Sequence, residues 1–341
     1  MRNAALAGLL AICLMAGLAI FGATHKVELQ KRAVEATVIP PQAPVKIAVT
    51  GDIMLGREVG TLMDKNGYDY PLALISPFLK NFDLSVGNFE GTVLEKYNYH
   101  DGLKLKFSFS PKSLTQLVNA NFGVVSLANN HGFDYGADGF EETKSHLQSE
   151  GISPLGHPYD LSKGIVTTVE LKGRHVSFLA FNATVPVFDT VKAQDLVAKT
   201  KAENPDALIM VLIHWGDEYA PKHNKTQETI GRALIDSGAD VILGSHPHVV
   251  QDIERYKSKI IFYSQGNFVF DQNFSEATKE GLVLGLELHA TSTDIGLFPI
   301  TIIKSQPALM TKDARIGFFS QLADKSPAEL SEQIKSGLLS F

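Results

Sequence analysis

The stretch VKIAVTGD, from Val45 to Asp52, sets the pattern that the rest of the chain repeats. A run of mainly β-branched and small apolar residues ends at a glycine and a carboxylate, as a buried strand does where a turn follows it. Similar strands are predicted over residues 84–86, 124–128, 175–181, 207–213, 241–243, 259–263 and 282–289, and helices over 72–82, 113–121, 137–149, 191–203, 226–237 and 327–339. Strands that alternate with helices at this spacing predict an α/β fold.

Polar side chains follow these predicted strands at the points where the strands end. The carboxyl ends of neighbouring parallel strands meet at one edge of a sheet, and ligands bind there. We therefore expect a single rim to gather side chains that are far apart in the sequence. They are Asp52, Asn88, Glu90, Asn130, His131, His214, His246 and His248.

The charge and cysteine content exclude two classes of protein. The chain has 341 residues and a net charge of -6. It contains no Lys- or Arg-rich stripe that would neutralise a phosphate backbone, so we expect no nucleic-acid partner. Cys13 is the single cysteine. An intrachain disulfide is therefore impossible, and the fold must rest on its apolar core.

The amino terminus predicts export and a division of the chain. Residues 4–23 carry no charged side chain and are long enough to cross a bilayer as one helix. They also resemble a signal peptide, so cleavage stays open. We predict a signal anchor or transmembrane segment over residues 1–24, a proline-containing linker over 25–44, a main domain over 45–290 and an extension packed on it over 291–341. The protein would then be a single-pass cell-membrane protein with its main domain periplasmic or extracellular.

The side chains expected at the rim predict a metal site. Carboxylate oxygens, an amide oxygen and imidazoles are suitable ligands for Zn, Mn or Fe, and two such ions could activate a water for hydrolysis. The expected ligands are Asp52, Glu90, Asn130, His214, His246 and His248. In the motif that also contains Asp134, His131 is either a further ligand or a general acid, and Asn130 and His131 are the catalytic candidates.

Four more polar residues of these motifs are candidates for contact with a substrate. Arg57 could hold an anionic group through its guanidinium fork. Asn88 lies two residues before Glu90, which places both side chains on one side of an extended segment. Glu218 and Asn267 follow strands in the later motifs, and Asn267 could equally orient a ligand.

The six motifs GDIMLGR, GNFEG, LANNHGFDYG, HWGDEY, GSHPHVVQ and YSQGNFVFD together resemble the CapA family of bacterial capsule or poly-γ-glutamate synthesis proteins. The resemblance covers residues 45–288. It implies the layered α/β sandwich of the calcineurin-like metallophosphoesterases, preceded by one membrane helix. It also implies an anionic polymer, a polymer ligase and small membrane proteins as partners in synthesis or export.

The resemblance assigns roles by position. Asp52 corresponds to the first acidic metal ligand of the phosphoesterase pattern, Asn130 to a ligand and His131 to the histidine that faces the substrate. His214, His246 and His248 correspond to the later histidine ligands, and Glu90 stands near the position of a bridging aspartate. Met54 occupies a position at which phosphoesterases have a histidine. This departure leaves open whether the centre holds one ion or two.

Three functions remain open from the sequence. The chain is an accessory component of capsule or poly-γ-glutamate synthesis with a metal-binding pocket, an active metal-dependent hydrolase of phosphoester or polymer amide bonds, or a non-catalytic module that binds an anionic polymer. Bound metal and turnover distinguish the three.

Overall fold

The structure is a computed structural model, and it describes residue 21, residues 43–99 and residues 105–341. In that part of the chain the strands, labelled β1 to β17 in order, are Val45–Ile53, Leu84–Phe89, Thr92–Val93, Ser108–Phe109, Phe122–Ser126, Ser153–Leu155, Val166–Leu171, Arg174–Asn182, Leu208–His214, Val241–Ser245, Ile253–Tyr256, Lys259–Phe262, Asn267–Val269, Glu280–Leu288, Thr293–Ile303, Gln306–Leu309 and Leu338–Ser340. The α-helices, labelled α1 to α8, are Arg57–Asn66, Ser76–Leu79, Leu114–Asn119, Gly136–Ser149, Thr190–Glu203, Lys225–Asp236, Lys312–Lys325 and Ser331–Ser336. Short 3-10 helices lie at Tyr70–Leu72, Pro111–Ser113, Ala277–Lys279 and Ala328–Leu330.

The first sheet is built around β1. Its strands run in the order β16-β15-β14-β1-β2-β5-β6, while β13 pairs with β1 and β17 pairs with β15. Strand β1 is parallel to β2 and β13 and antiparallel to β14. Because β2 is also parallel to β5, the carboxyl ends of β1, β2 and β5 lie at one edge of this sheet.

The second sheet has the order β11-β12-β10-β9-β8-β7. Strand β9 is parallel to β8 and to β10, and β10 is parallel to β12. Both faces of β9 are buried, which explains why the strand reads as an almost unbroken apolar run. Its last residue is His214, so a polar side chain stands at its carboxyl end.

The apolar side chains divide according to the two-residue period of the strands. Ile47 of β1 joins a core cluster shared with Phe178 of β8 in the second sheet. The next residue, Ala48, belongs instead to a cluster with helices α1 and α4 on the other face of the first sheet. A third cluster joins the outer face of the second sheet to α5 and α6. The predicted mixed α/β class is therefore confirmed.

The carboxyl-terminal part differs from the prediction of one helix over residues 327–339. Helix α8 ends at Ser336 because Gly337 adopts φ 76°, a left-handed conformation that stops helices. Strand β17 then pairs antiparallel with β15. Helix α7, Lys312–Lys325, was not predicted, and it adds Phe318 to the core between the sheets.

The predicted membrane segment over residues 1–24 lies outside the described residues except for Phe21, and so does the predicted linker up to residue 42. Among the described residues, no helix combines the length and the apolar character that crossing a bilayer requires. Residues 44–341 form one compact unit.

Gly51 permits a close approach of two backbone segments near the end of β1. A Cβ atom at this position would lie 1.9 Å from the carbonyl oxygen of Gly266, which no side chain can tolerate. The same carbonyl accepts a hydrogen bond of 3.1 Å from the backbone N–H of Asp52. This approach places Asn267, the first residue of β13, in register with Asp52.

The buried core predicts a position-dependent loss of stability. Replacing Ile209, which is fully buried in β9, with alanine should lower the free energy of unfolding by about 2–5 kcal/mol, because the substitution leaves a cavity. Urea unfolding of the purified chain measures this loss. Ile316→Ala is the matched control, since Ile316 is 61% exposed, and it should change stability by less than about 0.5 kcal/mol. Equal losses for the two variants would contradict the assigned core.

Candidate metal centre

The two sheets present the carboxyl ends of their parallel strands to one place. Asp52 lies near the end of β1 and His214 ends β9, while His246 directly follows β10. The backbone N–H of His246 lies 3.3 Å from the Asp52 Oδ2 atom. The His246 Nδ1 atom lies 3.1 Å from the Nε2 atom of His214. Side chains from both sheets thus meet in direct contact.

Further contacts extend this cluster across the loop after β5. The Nε2 atom of His214 lies 2.8 Å from the Oδ1 atom of Asn130. The Nδ1 atom of the same ring lies 3.0 Å from the Ser245 Oγ atom. The structure brings together seven side chains that the sequence analysis expected at one rim, while their roles stay predictions: Asp52, Glu90, Asn130, His131, His214, His246 and His248.

His248 is held by two oxygen atoms at its Nδ1 position. That nitrogen lies 3.2 Å from Asp52 Oδ2 and 3.0 Å from Asn267 Oδ1. Its Nε2 atom lies 3.8 Å from the Oε1 atom of Glu90. Asn267 is fully buried and also donates to the carbonyl of Thr278. Of its two expected roles, this position favours the orientation of His248 over contact with a substrate.

Asn88 lies among the expected ligands and is buried. Its amide nitrogen lies 2.8 Å from Asp52 Oδ1 and 3.4 Å from Glu90 Oε2. The same nitrogen lies 3.2 Å from the Nδ1 atom of His214. Asn88 therefore contacts the expected ligands directly, although the sequence analysis placed it with the substrate-binding candidates.

Arg57 and Glu218 differ in how open their surroundings are. The Arg57 guanidinium donates from Nε and Nη2 to the carboxylate of Asp271, the Nε bond being 3.1 Å, and lies 4.7 Å from the ring centroid of Phe107. Both of these donors are thus engaged within the protein. Glu218 is exposed, and one carboxylate oxygen lies within 4.8 Å of nitrogen atoms of His246 and His248.

His131 stands at the side of the cluster with its own acidic partner. Its Nδ1 atom lies 2.9 Å from the Oδ2 atom of Asp134, and its ring stacks on Phe107 at a centroid distance of 3.9 Å. Its Nε2 atom lies 3.8 Å from Glu90 Oε1. The side chain is 15% exposed. An imidazole fixed in this way presents Nε2 to the centre, which is the arrangement of a general acid or base.

Burial and mutual charge shift the pKa values of the central residues. Burial raises the pKa of Glu90 to about 7, and the neighbouring charge of Asp52 adds to the rise. Burial, together with the charge of His248, lowers the pKa of His246 to about 4. Burial would also lower the pKa of His248, but the carboxylates of Glu90 and Asp52 outweigh it and raise this pKa to about 9.

His214 is also buried in the centre. Burial lowers its pKa well below the ordinary value, and the charges of His246 and His248 lower it further. His214 is therefore neutral, and one ring nitrogen keeps a lone pair. Neutral imidazole is the form that ligates a metal ion.

The donor atoms of the cluster fit a divalent cation. Glu90 Oε1 is buried and has no hydrogen-bond partner among the described residues, a situation that costs free energy unless an ion or water satisfies the oxygen. Two groups of three residues each offer metal-ligating atoms that lie within 4.8 Å of one another inside the group. The first group is Asp52, Glu90 and His214, and the second is Glu218, His246 and His248. Imidazole nitrogen and carboxylate oxygen together suit Zn, Mn or Fe.

The backbone is strained around the same cluster. Four non-glycine residues adopt positive φ angles there: Arg57 at 47°, Tyr219 at 62°, His246 at 97° and His248 at 57°. Such conformations cost about 1–3 kcal/mol each and persist where the surrounding structure enforces them. Both histidines after β10 contact Asp52, His246 through its backbone N–H and His248 through its ring. Strain of this kind is concentrated at functional sites.

Met54 and Asn129 lie in the sequence motifs but have no predicted role as ligands of the centre. Met54 is fully buried in the apolar cluster with α1, and its sulfur accepts a 3.1 Å contact from the backbone N–H of Gly56. It therefore supplies no donor to the centre. Asn129 is also fully buried and contacts Asn88 and the backbone of His131.

Asp134 and Phe107 contact His131, although the sequence predicted no role for either residue. Asp134 follows His131 by three residues, so their shared motif carried a signal for the pair. Phe107 lies in a segment without any motif, and only the fold reveals its ring beneath His131.

The fold and the centre define a mixed α/β protein with a buried histidine and carboxylate cluster at the carboxyl ends of its strands. The family of the bacterial capsule synthesis protein PGA_cap matches residues 46–272. The chain therefore belongs to this family. The predicted resemblance to CapA proteins is confirmed.

Named relatives agree with this family. The capsule biosynthesis protein CapA of Bacillus anthracis is 36% identical over 298 residues, covering 79% of this chain and 72% of that protein. The PGA biosynthesis protein CapA of Bacillus subtilis (strain 168) is 32% identical over 288 residues, covering 77% and 73%. A probable polyglutamine synthesis accessory protein of Mycobacterium tuberculosis (strain ATCC 25618 / H37Rv) is 25% identical over 283 residues, covering 67% and 74%.

The contacts of Asn129 predict that it stabilises the centre. Its side chain donates to Asn88 Oδ1 and to the Phe89 carbonyl and accepts from the His131 backbone. Asn129→Ala should lower the free energy of unfolding by about 1–3 kcal/mol, because buried polar groups lose their partners. Urea unfolding measures the change. Asn119→Ala, at an exposed position of α3, is the control, and an equally small effect of both would refute the assigned network.

Proposed function

We propose that the chain is an accessory component in the synthesis or export of an anionic poly-glutamate polymer of the cell envelope, and that its centre binds a divalent cation. The polymer is inferred from the family and from relatives named for capsule and PGA biosynthesis. The cation is inferred chiefly from Glu90, a buried carboxylate whose Oε1 atom has no hydrogen-bond partner in the described part of the chain.

The proposal includes a place in the cell. The apolar residues 4–23, followed by a proline-containing linker, support a single-pass anchor with the main domain on the extracytoplasmic side. A polymer ligase and small membrane proteins of a synthesis complex are the proposed partners. The layered arrangement of the calcineurin-like metallophosphoesterases is the proposed fold type, supported by two sheets with helices on their outer faces.

The residues that would hold the cation lie in contact with one another. They are Asp52, Glu90, Asn130, His214, His246 and His248. When bound, a divalent cation acts as a Lewis acid and lowers the pKa of a bound water. Asn267 orients the His248 ring, since its amide oxygen lies 3.0 Å from His248 Nδ1.

The metal content of the purified full-length chain tests the proposal. The wild type should retain divalent metal, and its thermal stability should fall when a chelator removes the ion and recover when Mn or Zn is restored. The double variant His246→Ala, His248→Ala should lose the metal and the chelator response. His175→Ala is the matched control, because His175 is exposed at the start of β8. A wild type without metal and without any response to added ions would sink the metal site.

His131 and Asp134 favour a second candidate, a metal-dependent hydrolase of phosphoester or polymer amide bonds. Asp134 accepts a hydrogen bond at one side of the imidazole and fixes its orientation. The opposite nitrogen of His131 faces Glu90 at 3.8 Å and reaches the centre. From that position His131 would donate a proton to the leaving group of a substrate held beside the centre.

Turnover separates these candidates. Phosphoester and γ-glutamyl substrates are assayed with the wild type in the presence of Mn or Zn. If the protein is a hydrolase, His131→Ala should lower kcat by about 100-fold to 10,000-fold while bound metal stays unchanged, and His175→Ala should keep full activity. Metal without turnover in the wild type would refute the hydrolase and favour a module that binds the anionic polymer.

A further inference from the structure

The orientation of the Asn88 amide is fixed by groups outside the centre. Asn129 donates to the Phe89 carbonyl at 2.9 Å and accepts from the His131 backbone N–H at 3.0 Å, so its own amide can point only one way. The same Asn129 nitrogen donates to Asn88 Oδ1 at 3.1 Å. The Asn88 oxygen must therefore face Asn129, and its NH2 group must face the centre.

This NH2 group lies between the two buried carboxylates. It donates to Asp52 Oδ1 at 2.8 Å and lies 3.4 Å from Glu90 Oε2. It also lies 3.2 Å from the Nδ1 atom of His214. An N–H donor repels a cation, and this amide nitrogen lies within 3.4 Å of one potential metal-ligating atom of each of the three residues. The first donor group, Asp52, Glu90 and His214, is thus closed by an internal hydrogen-bond donor.

The second carboxylate oxygens of Asp52 and Glu90 lie near His248 instead of the Asn88 amide. Asp52 Oδ2 lies 3.2 Å from His248 Nδ1, and Glu90 Oε1 lies 3.8 Å from His248 Nε2 without a hydrogen-bond partner in the described residues. On that side the donor atoms of His246 and His248 come within 4.8 Å of a carboxylate oxygen of Glu218. Unlike the first group, this one has no side-chain amide donor among the contacts of the described residues.

Met54 and Glu218 differ in what they offer to a cation. The first motif supplies no second ligand, because the Met54 side chain is buried in the apolar cluster. Glu218, by contrast, is an exposed residue of the loop after β9, and its carboxylate lies near His246 and His248. A carboxylate from one loop can therefore replace a donor that another loop lacks. Oxygen in this position also favours a harder ion such as Mn over Zn.

Resting on the proposed metal site, we infer that the centre holds a single resident cation on the His246 and His248 side, that Glu218 is one of its ligands, and that the Asn88 amide excludes a second ion. Asn88→Asp replaces the inward N–H donor with an oxygen of negative charge. That variant would add a carboxylate oxygen beside Asp52 and Glu90, as an additional donor for a second ion.

Three full-length proteins and a control test this inference by metal-to-protein ratio and by equilibrium binding of Mn. The wild type should bind a single Mn, and Asn88→Asp should bind two and give the spin-coupled electron paramagnetic resonance signal of a neighbouring pair. Glu218→Gln should weaken Mn binding at least about tenfold, since even indirect partners of a metal cost that much. Asp217→Asn, which removes the adjacent exposed carboxylate, should leave binding unchanged.

The outcomes separate this inference from the metal site itself. A wild type that binds no ion overturns both. Two ions in the wild type, or Glu218→Gln binding as tightly as the wild type, overturn the inference and leave the metal site standing. A folded Asn88→Asp variant that still binds a single ion overturns the role of Asn88. If circular dichroism shows that this variant is unfolded, the wild-type ratio and the Glu218→Gln and Asp217→Asn pair decide.

Discussion

The Asp52 carboxylate is the group on which the arrangement of the centre depends. It is fully buried, and burying a charge is costly unless hydrogen bonds and opposite charge compensate it. Oδ1 accepts from Asn88, while Oδ2 lies within reach of the His246 backbone N–H and the His248 ring. Asp52 belongs to the first sheet, and the two histidines follow a strand of the second. The carboxylate therefore ties together the ends of two sheets that also share an apolar core.

Close backbone packing is what allows these ties to form. Gly51 lets the chain around Gly266 lie against the end of β1, and Gly244 does the same for β10, where a Cβ atom would lie 2.0 Å from the carbonyl of Tyr263. Just beyond Gly244, His246 and His248 adopt positive φ angles. Rigid strands on both sides hold this strained loop, so the folding free energy of the core maintains the positions of the two histidines.

The strands that end at the centre could be predicted from the sequence because the signal for each strand lies within a few consecutive residues. Apolar runs followed by glycine and a polar residue, as at Thr50 to Asp52, carry their signal within a few positions. The pairing of Arg57 with Asp271 joins residues 214 positions apart, so no local pattern indicates it. The direction of the Asn88 amide depends on contacts from another loop. The prediction of one helix over residues 327–339 was wrong because Gly337 ends the helix at Ser336.

Met54 and Asn88 both limit the number of metal donors that the centre offers. Met54 replaces an expected ligand with an apolar side chain that packs in the core, and Asn88 places an N–H donor beside carboxylates where an oxygen ligand would serve a metal. Both changes reduce the number of side-chain donors that these two motifs offer to a cation. His246 and His248 have the exposed carboxylate of Glu218 beside them. The potential metal donors of the centre are therefore distributed asymmetrically, because the exposed carboxylate lies on the side of His246 and His248.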